Sequence, residues 1–441
     1  MKYIYGLNKS GISLITFLKN IEEKFICWDD EIKIREKLIQ SIKKINFMDL
    51  KNIDLKFIDE VFLTPGISLN NKKMNILKKN GIEVFRDLEF YSRLITNEKI
   101  IAVTGTNGKS TTTKLIGDIL KLNKIKNFVG GNIGVPLLEF KNLNIKAPFH
   151  VIELSSFQLE SAPSFNPFIS ILLNISPDHM DRYLNFDEYV HQKEKIINHN
   201  KESYNIISID DHNCLNLFNR NKHLNIIPIS LKKINKGIFF QNNNIVDRFF
   251  HKDKLISINK ISPSLFGLFN KQNILAAYVV TKILKLNIKK FIKVVSEFKG
   301  LPHRMEEVIY NKKMRIINNS KATNVDASIK SLINYNNVNL ILGGKAKEND
   351  FSSFINYKKK IRKVYIIGKS ADMIFYQLKK SINCEICKNL EIALNKIFID
   401  NFNKKNFLTL LFSPACTSFD QYKNFEERGN HFKDLISRLV L

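Results

Sequence analysis

The stretch TGTNGKSTTT, residues 104–113, sets two glycines, a lysine and several hydroxyls in a spacing suited to holding phosphate. An apolar run, KIIAVTG at 99–105, precedes the turn, and a helix-like run, TTTKLIGDILKL, follows it. In that context the backbone N–H groups and the positive end of the helix dipole face an anion, Lys109 adds a point charge, and the Ser110 hydroxyl can reach Mg²⁺. The spacing is not the usual G-x-x-x-x-G-K-[ST], which would need glycine where the chain has Val103. Magnesium requires further oxygen donors. Two downstream stretches offer them at the ends of apolar runs: Glu153 in HVIELSSFQLE (150–160), and Asp178, His179 and Asp181 in ISILLNISPDHMDRY (169–183). Acids emerging from strand ends after a phosphate loop point to a metal-nucleotide site, because open parallel sheets bind ligands there. These residues specify an ATP- and Mg²⁺-dependent α/β enzyme and leave its reaction open.

Strands alternating with amphipathic segments must position these groups, and three blocks follow from the pattern. The first, 1–92, opens βαβ-fashion with KYIY, GLNKSG, ISLITFLKN and FICWDD. The second, 93–298, carries the phosphate loop and, between Asn205 and Lys260, polar Asn-rich strands expected to form an extra β portion. The third, 299–441, begins at GLPHR and contains the strand-like runs MRIIN, NLILGG, KVYIIG and FLTLLF, which predict a second open sheet. The expected fold is therefore α/β with three domains: a Rossmann-like first domain, a P-loop-type ATPase centre and a Rossmann-like third domain.

At 441 residues the chain exceeds what one core supports, and no apolar run approaches the roughly 18 residues of a membrane span. The start of the chain lacks an export pattern, so a cytoplasmic protein is expected. Five scattered cysteines argue against a disulfide framework, and Cys384-x-x-Cys387 reads as two ordinary thiols. The net charge of +27 is spread along the whole chain with abundant Asn and Ile. It reads as diffuse solvated charge that steers anionic substrates, not as a nucleic-acid patch.

The segments TGTNGKST, GGNIG (130–134), ELSSFQLE (153–160), DHMDRY (178–183), GLPHR (300–304), SKATN (320–324), LGGKAK (342–347) and SPACTSFDQYKNFEERG (413–429) together resemble the Mur ligases, in the family's order and across all three blocks. The resemblance implies that ATP phosphorylates the alanyl carboxylate of UDP-N-acetylmuramoyl-L-alanine, and that the amine of D-glutamate displaces phosphate from the acyl phosphate. It implies two Mg²⁺ ions, with Ser110 and Glu153 on one, His179 on the other, and Lys193 carbamylated to serve as an oxygen donor. Gly105, Thr106, Asn107, Gly108, Lys109, Ser110 and Thr111 would hold the ATP phosphates, and Asn270, Asn273, Arg304 and Asn319 the rest of the nucleotide. The family usually has His where this chain has Phe269, and Asp where it has Asn319. Lys321, Thr323, Lys347, Ser418 and Phe425 would grip D-glutamate, two lysines suiting a dicarboxylate. Asn8, Ser10, Asp29, Thr64, Gly66, Asn132, Ser155 and Gln158 would hold the UDP-sugar, with GLNKSG as a glycine fingerprint that has Asn8 in place of a glycine. The expected partners are small molecules, with neither nucleic acid nor membrane, and the expected state is a monomer. Rival readings are a folylpolyglutamate synthase, a sister Mur ligase and a nucleic-acid-stimulated ATPase. About 100 residues before the phosphate loop favour a UDP-substrate domain over the first.

Overall fold

Three β-sheets organise the computed structural model, which describes residues 1–42, 45–69, 71–132, 134–180, 182–401 and 407–440. Asp181 and the Phe269 side chain, both singled out above, lie outside the described residues. Strands β1 (Lys2–Tyr5), β2 (Phe25–Trp28), β3 (Glu60–Leu63) and β4 (Glu83–Arg86) form a wholly parallel sheet in the order β2-β1-β3-β4. Side-chain alternation splits it between two cores: Tyr3, Tyr5, Val61 and Leu63 join one, and Ile4, Phe62 and Phe85 the other. The helix Lys9–Asn20 puts Leu14, Ile15 and Leu18 into the second core, each such side chain contributing roughly 1.5–3 kcal/mol of burial. That core continues through Ile100, Ala102, Ile152 and Leu172 of the next sheet, so the first two sheets lie in one compact unit, Met1–Lys260 with Leu268–Ser296.

The second sheet contains β5 (Lys99–Thr104), β6 (Asn127–Gly131), β7 (Phe149–Glu153), β8 (Ile169–Leu172), β9 (Tyr204–Ser208), β10 (Ile226–Ser230), β11 (Ile238–Gln241), β12 (Asn244–Asp247) and β13 (Lys254–Ser257). Its order is β13-β12-β11-β10-β9-β8-β5-β7-β6, parallel from β6 through β11 and antiparallel beyond. The expected extra β portion is thus an extension of the same sheet. Its β9 and β10 are buried and Ile-rich (Ile206, Ile207, Ile227, Ile229), and the Asn residues gather at turns such as Asn242 and Asn243, both with positive φ. From β5 the chain runs outward to β6, returns to β7 beside β5, then crosses to β8 on the other flank. This reversal makes the carboxyl ends of β5, β7 and β8 a topological switch point, where open α/β sheets bind ligands.

A second unit, Ile261–Gly267 with Glu297–Leu441, holds the third sheet. It comprises β14 (Glu306–Tyr310), β15 (Met314–Asn318), β16 (Val338–Gly343), β17 (Ile361–Ile367), β18 (Cys384–Ile386) and β19 (Leu408–Phe412), in the order β14-β15-β19-β16-β17-β18. Only β14 is antiparallel; β19 inserts between β15 and β16 and creates a second switch point. All five cysteines are free thiols, and burial pushes Cys384 and Cys387 up to about 11, which leaves them protonated and inert near neutrality. No helix among the described residues is long and apolar enough to cross a membrane.

Candidate active site

The β5 strand is buried and ends at Thr104, and the turn that follows is held by the neighbouring strand's exit. Thr106 N–H donates to the Asn174 carbonyl (2.9 Å), Asn107 N–H to Asn174 Oδ1 (2.8 Å), and Asn174 Nδ2 returns a bond to the Asn107 carbonyl (3.1 Å). Gly105 (φ +151°) and Gly108 (φ +88°) make the turn possible. At Gly108 an added Cβ would stand 2.4 Å from Asn273 Oδ1, so the helix Leu268–Ile283 closes directly on the loop. Asn273 is buried there and donates to Asn270 Oδ1 at 2.8 Å, which brings both expected nucleotide asparagines to the phosphate turn. The helix Lys109–Leu122 then begins with Lys109, whose ammonium bonds the carbonyls of Gly105 and Thr106, each at 2.8 Å.

Lys193 reaches the same turn from the helix Phe186–Glu194. Its Nζ donates to the Gly105 carbonyl at 2.9 Å, and the residue is only 2% exposed. Burial first, then the Lys109 charge, hold its pKa well below the ordinary lysine value, only partly offset by Asp178, Cys214 and Glu153. A buried lysine with a weakened grip on its proton is a nucleophilic amine in waiting. Glu153, at the end of β7, is buried; Asn132 Nδ2 donates to its Oε1 (3.1 Å), while Oε2 has no hydrogen-bond partner. The Ser110 hydroxyl is likewise buried and unpartnered. Two unsatisfied hard oxygens beside a phosphate turn are what a Mg²⁺ ion would complete. Among the described residues no group of three or more His, Cys, Asp or Glu could hold a metal ion. His179 follows β8 with φ +57°, its ring 5.0 Å from that of Phe157 and its Nε2 3.6 Å from Asp178 Oδ2. Its loop is tied to the phosphate turn by Ser176 N–H donating to Thr106 Oγ1 at 3.0 Å.

At the first sheet, the Gly6 turn leads into the helix Lys9–Asn20, with Asn8 in extended conformation at the position just before it. Asp29 braces the turn, accepting from Leu7 N–H (2.7 Å) and Glu31 N–H (3.0 Å). Thr64 is buried against it, so that a Cβ on Gly6 would lie 2.0 Å from Thr64 Oγ1. Gly66 has open space around it. Ser10 and Gln158 both hydrogen-bond the carboxyl of buried Asp87, whose pKa is raised by burial. Ser155 and Gln158 also form a reciprocal cap on the helix Ser156–Leu159, and Asn132 Nδ2 donates to Glu153.

In the second unit the expected residues cluster at the carboxyl ends of β15, β16 and β19. Asn319, Lys321 and Thr323 follow β15, Lys347 follows β16, and Ser418 and Phe425 follow β19. Lys321 Nζ stands 4.9 Å above the Phe425 ring, and its backbone N–H donates to the His303 carbonyl, next to Arg304. Asn319 accepts from Met305 N–H (3.2 Å) and donates to Ser413 Oγ (3.1 Å), a donation that an aspartate could not make.

A family described as Mur ligase middle domain matches residues 103–281. The curated UDP-N-acetylmuramoylalanine–D-glutamate ligase of Rickettsia bellii is 38% identical over 448 residues, covering 99% of this chain and 97% of its own length. The chain belongs to the Mur ligase family. The enzyme of the same name from Caldicellulosiruptor saccharolyticus is 34% identical, with 99% of this chain and 98% of that protein covered. In fold, this Mur ligase is similar to the UDP-N-acetylmuramate–alanine ligase MurC of Thermotoga maritima, with a TM-score of 0.62 at 17% identity and 99% of both chains covered.

Several residues that build the Mur ligase site carried no sequence signal of their own. Asn174 is one amide in a strand exit, yet it makes three bonds to the phosphate turn. Tyr189, which bonds Thr106 Oγ1 at 3.0 Å, looks like any aromatic on a helix. Asp87 and Arg182 belong to runs whose neighbours drew attention first.

Proposed function

We propose that the chain joins D-glutamate to UDP-N-acetylmuramoyl-L-alanine with consumption of ATP, a step of peptidoglycan precursor synthesis. The observation that carries this reading is Lys193, buried and bonded to the phosphate turn, in a chain whose curated relatives of that name span it end to end. The alanyl carboxylate oxygen attacks the γ-phosphorus of ATP as the bond to ADP breaks. The D-glutamate nitrogen then attacks the acyl carbon, loses a proton to solvent, and phosphate departs as the amide forms. A carboxylate is a poor electrophile, and phosphorylation supplies it with a good leaving group. Lys109 and the backbone N–H groups of the turn hold the phosphates and stabilise charge on the transferring phosphoryl group. Ser110 and Glu153 would hold one Mg²⁺, and His179 with Lys193 a second. Bound there, the metal neutralises phosphate charge and polarises the reacting phosphorus. Lys193, its amine favoured in the neutral form, adds to carbon dioxide: an N–C bond forms, one proton leaves to solvent, and a neutral amine becomes an anionic oxygen donor. Asn270, Asn273, Arg304 and Asn319 serve the nucleotide, and Lys321, Thr323, Lys347, Ser418 and Phe425 the amino acid. The three blocks 1–92, 93–298 and 299–441 act as sugar-nucleotide, ATP and amino-acid domains of a cytoplasmic monomer.

Purified protein with ATP and Mg²⁺ is expected to release phosphate only when both the sugar nucleotide and D-glutamate are present, with L-glutamate and L-alanine poor acceptors. Steady release driven by DNA or RNA alone replaces this reading with a nucleic-acid-stimulated ATPase. Lys193→Ala is expected to lose most activity and to regain part of it with added short carboxylates. A wild-type rate in that variant removes the carbamate.

A further inference from the structure

Two arginines satisfy every carbonyl of the turn Thr64–Ile67 at the end of β3. Arg86, fully buried on β4, donates to Thr64 O and Ile67 O, each at 2.9 Å, and pairs with Glu160. Arg182 arrives from the other sheet, on the loop after β8, and forks onto Pro65 O (3.0 Å), Gly66 O (2.9 Å) and Ile67 O (2.7 Å). Its side chain is 14% exposed, and three well-made donations to neutral carbonyls exceed what a surface arginine needs. The remaining contacts lead to His179. Arg182 N–H donates to the His179 carbonyl at 2.9 Å, closing the turn in which His179 adopts its left-handed φ. The guanidinium lies 4.2 Å above the Phe157 ring, and that ring meets His179 edge-on at 5.0 Å. Glu160, held by Arg86 and by Tyr183 Oη at 3.3 Å, sits 3.9 Å from Arg182 and offsets one of the two guanidinium charges.

We infer that Arg182 is a positioning residue that couples the sugar-nucleotide turn 64–67 to the metal-bearing His179 loop. One side chain fixes the spacing of the two segments, so a ligand that orders either one orders the other. By reciprocity, sugar nucleotide and metal then tighten each other's binding by one common factor. The inference rests on the proposed function for the identity of both ligands.

The test is equilibrium binding to the full chain, with Mn²⁺ followed by its paramagnetic resonance and UDP-N-acetylmuramoyl-L-alanine by calorimetry, each with and without the other. Wild type is expected to show a coupling factor within the usual range of about 5–150-fold. Arg182→Met keeps an unbranched apolar stem but loses all three donations, and its factor should fall to about 1. Its KM for D-glutamate should stay within about twofold of wild type, because that site lies on other loops. Arg182→Lys, with charge but no fork, should fall between. If Arg182→Met does not fold, Arg182→Lys and Phe157→Leu are read on the same factor. A wild-type factor of 1, or an undiminished factor in folded variants, overturns the inference while leaving the function intact. A wild type that does not bind the sugar nucleotide overturns the proposed function, and the coupling with it.

Discussion

Replacing Gly108 by alanine puts the phosphate turn to a quantitative test. At φ +88° an L-residue pays the left-handed penalty of about 1–2 kcal/mol. The new methyl would also sit 2.4 Å from Asn273 Oδ1 and 3.1 Å from Leu173 Cδ1, closer than atoms tolerate. Asn273 is buried, and moving it breaks its bond to Asn270, a further loss of about 1 kcal/mol. The two terms together predict a destabilisation of about 2–3 kcal/mol. Urea unfolding followed by Trp28, the one tryptophan and a member of the same compact unit, measures it directly. A double-mutant cycle separates the terms: with Asn273→Ser the steric part disappears and the backbone part stays, so the cycle should return about 1 kcal/mol of interaction. Nucleotide affinity should fall in the same variant, because the strained turn no longer presents its N–H groups to phosphate. A Gly108→Ala protein within about 0.5 kcal/mol of wild type, or a cycle with no interaction term, refutes the account of the turn as built around glycine and closed by Asn273.

Further outcomes follow from groups elsewhere. His150 is buried between Tyr91, Phe128 and Phe140, and burial pushes its pKa down to about 4 from 6.5. The unfolded chain therefore takes up a proton that the folded one refuses. Stability is retained above pH 6.5 and drains as pH falls toward 4, by about 3 kcal/mol in all, and denaturant titrations of wild type against His150→Asn across that interval isolate the histidine's share. Arg86→Met leaves Glu160 buried beside a single arginine and should cost about 3–5 kcal/mol, read as a lowered midpoint of thermal unfolding. Asn319→Asp turns the donor to Ser413 into an acceptor within the Ser328, Ser331 and Ser413 hydroxyl cluster, and a loss of about 1 kcal/mol is expected by calorimetry.

Legibility from the sequence followed locality. The strand-turn-helix at 99–122 was readable because its chemistry is consecutive: apolar strand, glycines whose φ only glycine adopts freely, then lysine and hydroxyl at the helix start. The same holds for the acids at strand ends, since Glu153 terminates a run that has no other use for a charge. The strands of the Asn205–Lys260 region were legible, but not the helix His212–Arg220 between two of them, nor their place as an extension of the central sheet, because strand order depends on pairing that composition does not encode. Lys193 marks the limit. Its surroundings in DEYVHQKEKI are those of a surface helix, and only a resemblance to other proteins singled it out. What makes it unusual is the helix's approach to Gly105, from a point 88 residues away in the chain. Lys109 and Lys193 both donate to that one carbonyl, and the Lys109 charge adds to burial in weakening the hold of Lys193 on its proton. A turn that gathers two basic amines in a dry place is relieved when negative charge arrives, either phosphate on Lys109 or the carbamate that carbon dioxide forms on Lys193. Binding and modification thus draw on the same stored electrostatic strain. Lys109→Met should on that account restore Lys193 toward an ordinary lysine, slowing its labelling by cyanate, whereas labelling at the wild-type rate means that the two charges do not communicate.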